Sequence, residues 1–453
     1  MTETFDAIVI GMGPAGEAVA GDLAEAGLSV AGIDRKLVGG ECPYWGCIPS
    51  KMMIRAGDLL AEARRVDGIA GTATVTPDWA PVARRIRDEA TDDWDDRVAV
   101  ERFEGKGGTF VRGAGRLVGP GTVAVGDRTF TARRAVVLAT GTEPAIPPIP
   151  GLADVPYWTN RDVVEAKVLP SSLLVLGGGA IGVELAQALS RFGVTVTVIE
   201  ALDRLVPLET PAAGELIARV FIDEGIEVTT GVAVERVERD GARIAARLAD
   251  GRTVAAAQLL VATGRRTNLP ELGVATIGID DTQRFAPVDS SLRAADGVWA
   301  VGDLTGKGAF THVGMYQARI ATADILGAPH EPADYHALPR VTFTDPEIGS
   351  VGLTPALAAE AGIDVRVGTT LVPNTARGWI HKAGNDGFIE LVEDRARGVL
   401  VGATAAGPNG GEVLGLLTLA VHAEIPVERL RQMIYAYPTF HRGIEDALRD
   451  LVS

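Results

Sequence analysis

The 453-residue chain reads as an α/β protein made of two similar β–α–β units and a C-terminal α+β segment. Three observations predict this. A short apolar strand runs into a G-x-G-x-x-G turn at two separate places. Each turn is followed by a helix and a second strand that closes on an acidic residue. Beyond about residue 335 the pattern changes to alternating, turn-punctuated runs followed by two helical stretches. A chain of this length carries two or three domains by its size. Hydrophobic residues at 47% and charged residues at 23% are the balance of a globular protein rather than a disordered one.

The first unit is "FDAIVIGMGPAGEAVAGDLAEAGLSVAGIDRK". Ile8 to Ile10 form the apolar strand, Ala18, Ala20 and Leu23 suit the packed face of the helix, and Leu28 to Ile33 read as the second strand. Gly11 permits the tight turn, Gly13 lets backbone approach a pyrophosphate, and Gly16 lets helix and strand pack closely. The helix N-terminus faces the phosphates, and Asp34 is placed to accept hydrogen bonds from a ribose. This is a Rossmann-like dinucleotide-binding pattern, and its strand–turn–helix–strand–acid context makes it far more specific than the glycines alone.

The unit recurs in "SSLLVLGGGAIGVELAQALSRFGVTVTVIE" with strand Leu173 to Leu176, then Gly177, Gly179, Gly182 and a terminal Glu200. Each copy is followed by a strand ending in a Gly-rich turn, "VVLATGTEP" at 136 to 144 and "LLVATGRRTN" at 259 to 268. A third such strand, "VWAVGDLTG" at 298 to 306, ends at Gly302 and Asp303. If Asp303 serves the first dinucleotide, the chain leaves the first domain near 145, builds the second to about 268, and returns. Ordinary turn chemistry is the competing reading of that Gly-Asp pair. After 335, "LPRVTFTDPEIGSVGLT" and "DGFIELVEDRARGVLVGATAAG" alternate like antiparallel strands, and "GEVLGLLTLAVHAEIPVERLRQMI" reads as two helices broken at Pro426.

A formal charge of −16 disfavours a nucleic-acid or anionic-membrane partner. No apolar run is long enough to span a bilayer. The N-terminus has no basic segment before its first strand, so the cytoplasm is the expected location. Both cysteines, Cys42 and Cys47, lie in "GGECPYWGCIPSK". A bridge over so short a loop gains little entropy. The six histidines show no paired spacing near the thiols that would complete a metal site. A reactive pair is the favoured reading, and no metal is expected.

"GGECPYWGCIPSK", both fingerprints, the repeated "ATG", "VWAVGDLTG" and "PRVTFTDPEIGSVG" together resemble the pyridine nucleotide–disulfide oxidoreductases, from near residue 5 to near 450. The resemblance implies a glutathione-reductase-like fold. Residues 1–145 would begin the FAD-binding domain, 146–268 would bind NAD(P), 269–334 would return to the FAD domain, and 335–453 would form the dimerisation domain of a homodimer. It implies that Gly11, Gly13, Gly16 and Asp34 hold the FAD adenosine half and Asp303 its ribitol side. Gly177, Gly179, Gly182 and Glu200 would hold the nicotinamide nucleotide. Lys51 would sit by the flavin, paired with Glu184. Gly115, Gly141, Ala309, His312, Val234 and Gly264 match lesser contact positions.

By the same resemblance Cys47 is the thiol against the flavin and Cys42 the thiol that exchanges with substrate. The N-terminal end of the helix after Cys47, together with Lys51, favours the reactive thiolate. Glu200 accepts from a free 2′-hydroxyl and repels a 2′-phosphate, so NADH is expected over NADPH, with Arg204 near enough in sequence to moderate the repulsion.

One segment departs from the family pattern. Thiol-handling relatives carry a His-Pro segment followed by Glu, whereas "YAYPTFHRGIEDAL" places Tyr437 at the histidine and Arg442 at the glutamate. A phenol is a poor base near neutral pH. His441, farther along, is the candidate substitute. The expected function is therefore passage of electrons from NADH through FAD to the Cys42–Cys47 disulfide and on to a small acceptor. The alternatives are a diaphorase, quinone reductase or transhydrogenase-like enzyme with dispensable cysteines, a mercuric-reductase-like activity, and a flavin redox sensor.

Overall fold

A strand from Thr2 to Ile10 opens the chain, longer than the run its hydrophobicity marks. The computed structural model describes residues 2–451. The polar first half of this strand pairs with Arg128–Leu138, Thr2 lying opposite Thr129 and Phe5 opposite Ala132. Backbone hydrogen bonds need no apolar side chain, so hydrophobicity under-reads the element.

Two compact units divide the chain. The first comprises Met1–Ser50, Ala83–Ala145 and Gly264–Asp334. Its main sheet runs in the order Arg293–Ala295, Val298–Ala300, Arg128–Leu138, Thr2–Ile10, Val30–Asp34, Thr109–Arg112. The four pairings from Val298–Ala300 to Thr109–Arg112 are parallel. Helices Pro14–Glu25 and Thr311–Leu326 cover one face through Val19, Leu23, Ala318 and Ala321. Leu117, Val123, Phe130 and Leu272 fill the other. With both faces covered, Ala7, Ile8 and Val9 are fully buried, and the strand reads as a continuous apolar run rather than an alternating one. Strand order reverses direction at Thr2–Ile10, which opens a crevice beyond the carboxyl ends of the central strands.

The second unit comprises Lys51–Val82, Ile146–Thr263 and Tyr335–Ser453. One sheet here is parallel, in the order Glu227–Thr230, Thr195–Glu200, Ser172–Leu176, Gln258–Val261, Tyr157–Trp158. A three-stranded antiparallel sheet, Val234–Asp240, Arg243–Leu248 and Thr253–Ala256, accompanies it. The C-terminal sheet is antiparallel, in the order Pro339–Thr342, Glu347–Gly352, Val399–Gly407, Phe388–Asp394, Val365–Leu371. Helices Gly410–His422 and Gly443–Asp450 pack on it through Leu414, Leu417, Ile444 and Leu448. Alternation was expected in Phe388–Asp394 and Val399–Gly407, yet both strands are buried along nearly their whole length. Side chains on both faces of these two strands are covered, so the alternation of a half-exposed strand is lost.

Candidate functional site

The first fingerprint folds around contacts that admit only glycine. Gly11 adopts φ +97°, and a Cβ there would lie 2.4 Å from the Ala139 carbonyl oxygen. A Cβ on Gly16 would lie 1.9 Å from the Gly11 carbonyl oxygen. Gly13 differs, because nothing lies within 4 Å of the position its Cβ would take. It is the N-cap of Pro14–Glu25 and offers no side chain to the amides of the first turn. Those amides and that open space fit an anion.

The second fingerprint repeats this geometry. Gly177 adopts φ +106°, and its Cβ would lie 2.4 Å from the Ala262 carbonyl oxygen. That of Gly182 would lie 2.0 Å from the Gly177 carbonyl oxygen, and Gly179 again faces open space as the uncapped start of Ala180–Arg191. The two acids match atom for atom. Asp34 Oδ2 accepts from the Met12 amide at 2.7 Å and Oδ1 from the Lys36 amide at 2.7 Å. Glu200 Oε2 accepts from the Gly178 amide at 2.7 Å and Oε1 from the Leu202 amide at 2.8 Å. In both copies the middle residue of G-x-G and the residue two past the acid hold the carboxylate still. Each oxygen keeps a further lone pair for a ribose hydroxyl. Both sites therefore fit a dinucleotide. Burial pushes the Asp34 carboxyl up from its ordinary value, against the pull of its two amide bonds.

Arg204, expected to moderate Glu200, turns elsewhere. Its Nη1 pairs with Asp203 at 3.1 Å and its Nη2 donates to the Pro207 carbonyl at 3.0 Å.

Asp303 stands at the end of Val298–Ala300, beside the turn after Arg128–Leu138. Thr142 Oγ1 donates to Asp303 Oδ2 at 2.8 Å and accepts from Arg265 Nε at 2.7 Å. Arg265 Nη2 also donates to the Thr142 carbonyl at 2.7 Å. Burial pushes the Asp303 carboxyl up, opposed by the Thr142 hydroxyl and the Arg265 charge. Among the lesser positions, Gly141 (φ +62°) and Gly264 (φ +120°) face open space. Gly115 begins a strand, and its Cβ would lie 2.9 Å from the Ile10 side chain. Val234 opens an outer strand of the three-stranded sheet.

Cys42 is half-buried on the short helix Glu41–Tyr44, and Cys47 is the exposed first residue of Cys47–Arg64. The connection between them is tight, since a Cβ on Gly46 would lie 3.1 Å from the Glu41 carbonyl oxygen and 3.7 Å from Cys42 Cα. Cys47 Sγ lies 3.4 Å from Thr311 Oγ1, the first residue of helix Thr311–Leu326. That sulfur thus meets the start of its own helix and a hydroxyl at the start of another, which both favour a thiolate. Ala309 lies just before this helix, and His312, on its first turn, stacks on Phe310 at 5.1 Å.

Lys51 Nζ donates to Glu184 Oε2 at 2.8 Å. Glu184 Oε1 accepts from the Phe343 amide at 2.8 Å, and Lys51 Nζ lies 4.5 Å from the Phe343 ring centroid. Tyr437 is 69% exposed, with the Arg442 guanidinium 5.2 Å from its ring centroid. His441 precedes helix Gly443–Asp450, and its Nε2 lies 3.5 Å from Thr439 Oγ1.

Sequence reasoning passed over Thr142, Arg265, Gln187 and Phe343. Gln187 had a readable signal: with Glu184 and Arg191 it forms a polar i, i+3, i+7 row in the apolar helix "AIGVELAQALSR". Thr142 and Arg265 had none, being joined only where two distant turns meet.

Residues 5–322 match the family model for pyridine nucleotide-disulphide oxidoreductases, and residues 338–448 match its dimerisation domain. Mercuric reductase of Bacillus cereus is 32% identical over 451 residues, covering 98% of this chain and 71% of that protein. Dihydrolipoyl dehydrogenase of Chlamydia muridarum is 33% identical over 457 residues, covering 97% and 95%. Among solved structures, LpdA from Mycobacterium tuberculosis superposes with a TM-score of 0.86 at 26% identity, covering 100% of both chains. The HOCl-induced flavoprotein disulfide reductase RclA of Escherichia coli, solved also as a Cu(II) complex, gives 0.85 at 26%, covering 98% and 99%.

Proposed function

The chain belongs to the pyridine nucleotide-disulphide oxidoreductases, FAD-dependent enzymes that use a pyridine nucleotide, and from that premise we propose that it is an NADH-driven reductase in which Cys42 and Cys47 relay electrons to a small acceptor. We assign FAD to Gly11, Gly13, Gly16, Asp34 and Asp303, within a domain drawn from 1–145 and 269–334. NADH goes to Gly177, Gly179, Gly182 and Glu200 in 146–268, and residues 335–453 join two copies. Bound FAD supplies two-electron transfer between nicotinamide and disulfide. NADH and one further proton yield NAD⁺ and the two thiols of Cys42 and Cys47, which return to the disulfide as the acceptor takes the pair of electrons.

The placement of Cys47 Sγ 3.4 Å from Thr311 Oγ1, on the first residue of a helix, supports this reading most directly. A helix start and a neighbouring hydroxyl favour the thiolate form of a sulfur. Anaerobic NADH is expected to raise a long-wavelength charge-transfer band in wild type and none in Cys47→Ser. Identical bleaching of the two proteins would sink the dithiol relay.

The exposed Tyr437 under Arg442 bears on the acceptor. A phenol does not take a proton from an incoming thiol near neutral pH. Metal ions, such as the mercury and copper in the relatives' names, or quinones therefore suit this enzyme better than dithiols. The same feature favours a second reading, direct diaphorase or quinone chemistry. A Cys42→Ser, Cys47→Ser double variant separates the two, because only direct chemistry survives at full rate. We place this activity in the cytoplasm. Among the described residues no helix is long and apolar enough to cross a membrane.

A further inference from the structure

Glu184, Gln187 and Arg191 lie along one face of Ala180–Arg191 and are only 6%, 3% and 4% exposed. Their i, i+3, i+7 spacing aims them the same way. All three reach the connector that follows strand Pro339–Thr342. Glu184 Oε1 accepts from the Phe343 amide at 2.8 Å. Gln187 closes a two-point clasp: its Oε1 accepts from the Asp345 amide at 2.8 Å, and its Nε2 donates to the Asp345 carbonyl at 2.8 Å. Arg191 Nη2 holds the Asp345 carboxylate at 2.7 Å. The connector in turn touches both members of the ion pair, through the Phe343 amide on Glu184 and the Phe343 ring 4.5 Å from Lys51 Nζ.

We propose that Gln187 and Phe343 are positioning residues for the Lys51–Glu184 pair. The clasp on Asp345 fixes the backbone two residues away, so the Phe343 amide always meets the same carboxylate oxygen. That oxygen being taken, the other points at Lys51, and the Phe343 ring lies 4.5 Å from the ammonium. A carboxylate without the Phe343 amide turns freely about its last torsion and holds the lysine loosely. A buried amide side chain satisfied at both ends specifies one arrangement, because every alternative leaves its polar groups unpaired.

This inference rests on the proposed flavoenzyme reading, with Lys51, paired with Glu184, beside the flavin as the family resemblance implies. The test is a double-mutant cycle on the holoenzyme, Gln187→Leu with Glu184→Gln, read by stopped-flow flavin reduction at saturating NADH and by the flavin midpoint potential. Gln187→Leu alone is expected to slow reduction about three- to tenfold and to shift the potential, with the KM for NADH unchanged. In the Glu184→Gln background the same change is expected to do nothing further. Effects that multiply, or a Gln187→Leu protein indistinguishable from wild type, overturn the proposal. Where Gln187→Leu takes up no flavin, Phe343→Leu in a cycle with Lys51→Met carries the same test, since it keeps the amide and removes the ring. If Glu184→Gln and Lys51→Met leave rate and potential at wild-type values, the assignment of the pair has failed, and the positioning role falls with it.

Discussion

Two glycines three positions apart do opposite work. Gly16 is required by the protein itself, since its Cβ would overlap the Gly11 carbonyl at 1.9 Å, whereas Gly13 borders empty space. Gly13→Ala is therefore expected to fold normally and lose FAD, while Gly16→Ala loses about 1–3 kcal/mol of stability or fails to fold. Gly179→Ala and Gly182→Ala should divide likewise, with Gly179→Ala keeping flavin and raising the KM for NADH. Flavin content, urea midpoints and steady-state kinetics on the four variants check this. At Glu200, the neighbouring arginine is engaged with Asp203 and Pro207. Glu200→Gln should thus narrow the preference for NADH over NADPH by about tenfold or more, through loss of a charge-assisted acceptor. Equal kcat/KM ratios in wild type and variant would refute that role for the carboxylate.

Helix Cys47–Arg64 joins several tasks that its hydrophobic pattern does not separate. It begins at Cys47, carries Lys51 one turn later, and meets Ala180–Arg191 at Gly57, whose Cβ would lie 3.6 Å from Ala188 Cα. Next to that contact Asp58 Oδ1 takes Arg191 Nη1 at 2.6 Å. Burial pushes the Asp58 carboxyl up to about 6; Arg191 opposes the shift, and the Asp345 and Glu347 charges add to it. The sign follows from linkage. Between the ordinary value of 3.8 and about 6, the folded protein holds a proton that the unfolded chain has released, so this group's contribution to stability falls as pH rises through that window. Asp58→Asn removes the term. The stability difference between variant and wild type should move in the variant's favour from pH 4 to pH 7, as read from urea midpoints. A difference that stays flat, or moves the other way, contradicts the raised carboxyl.

The C-terminal domain leaves Ile434 95% exposed and Trp379 74% exposed in the single chain. Large apolar side chains in a dimerisation domain belong against a second copy. Ile434→Glu is expected to weaken the dimer at least about tenfold, seen by sedimentation at falling concentration. An unchanged association constant would place the interface elsewhere. Much of this molecule was readable before it was folded. The two fingerprints, their acids and the cysteine pair are contiguous motifs, because a tight turn into a helix must be built from neighbouring residues. Contiguous stretches of the chain alone carry two dinucleotide-type turns, the cysteine pair and the α+β pattern of the C-terminal segment. Only the folded chain shows that the Phe343 amide meets Glu184, that Gln187 clasps Asp345, and that Thr142 joins Asp303 to Arg265. Those contacts join residues more than a hundred positions apart, and no periodicity along a chain records which distant side chains will share one buried hydrogen bond.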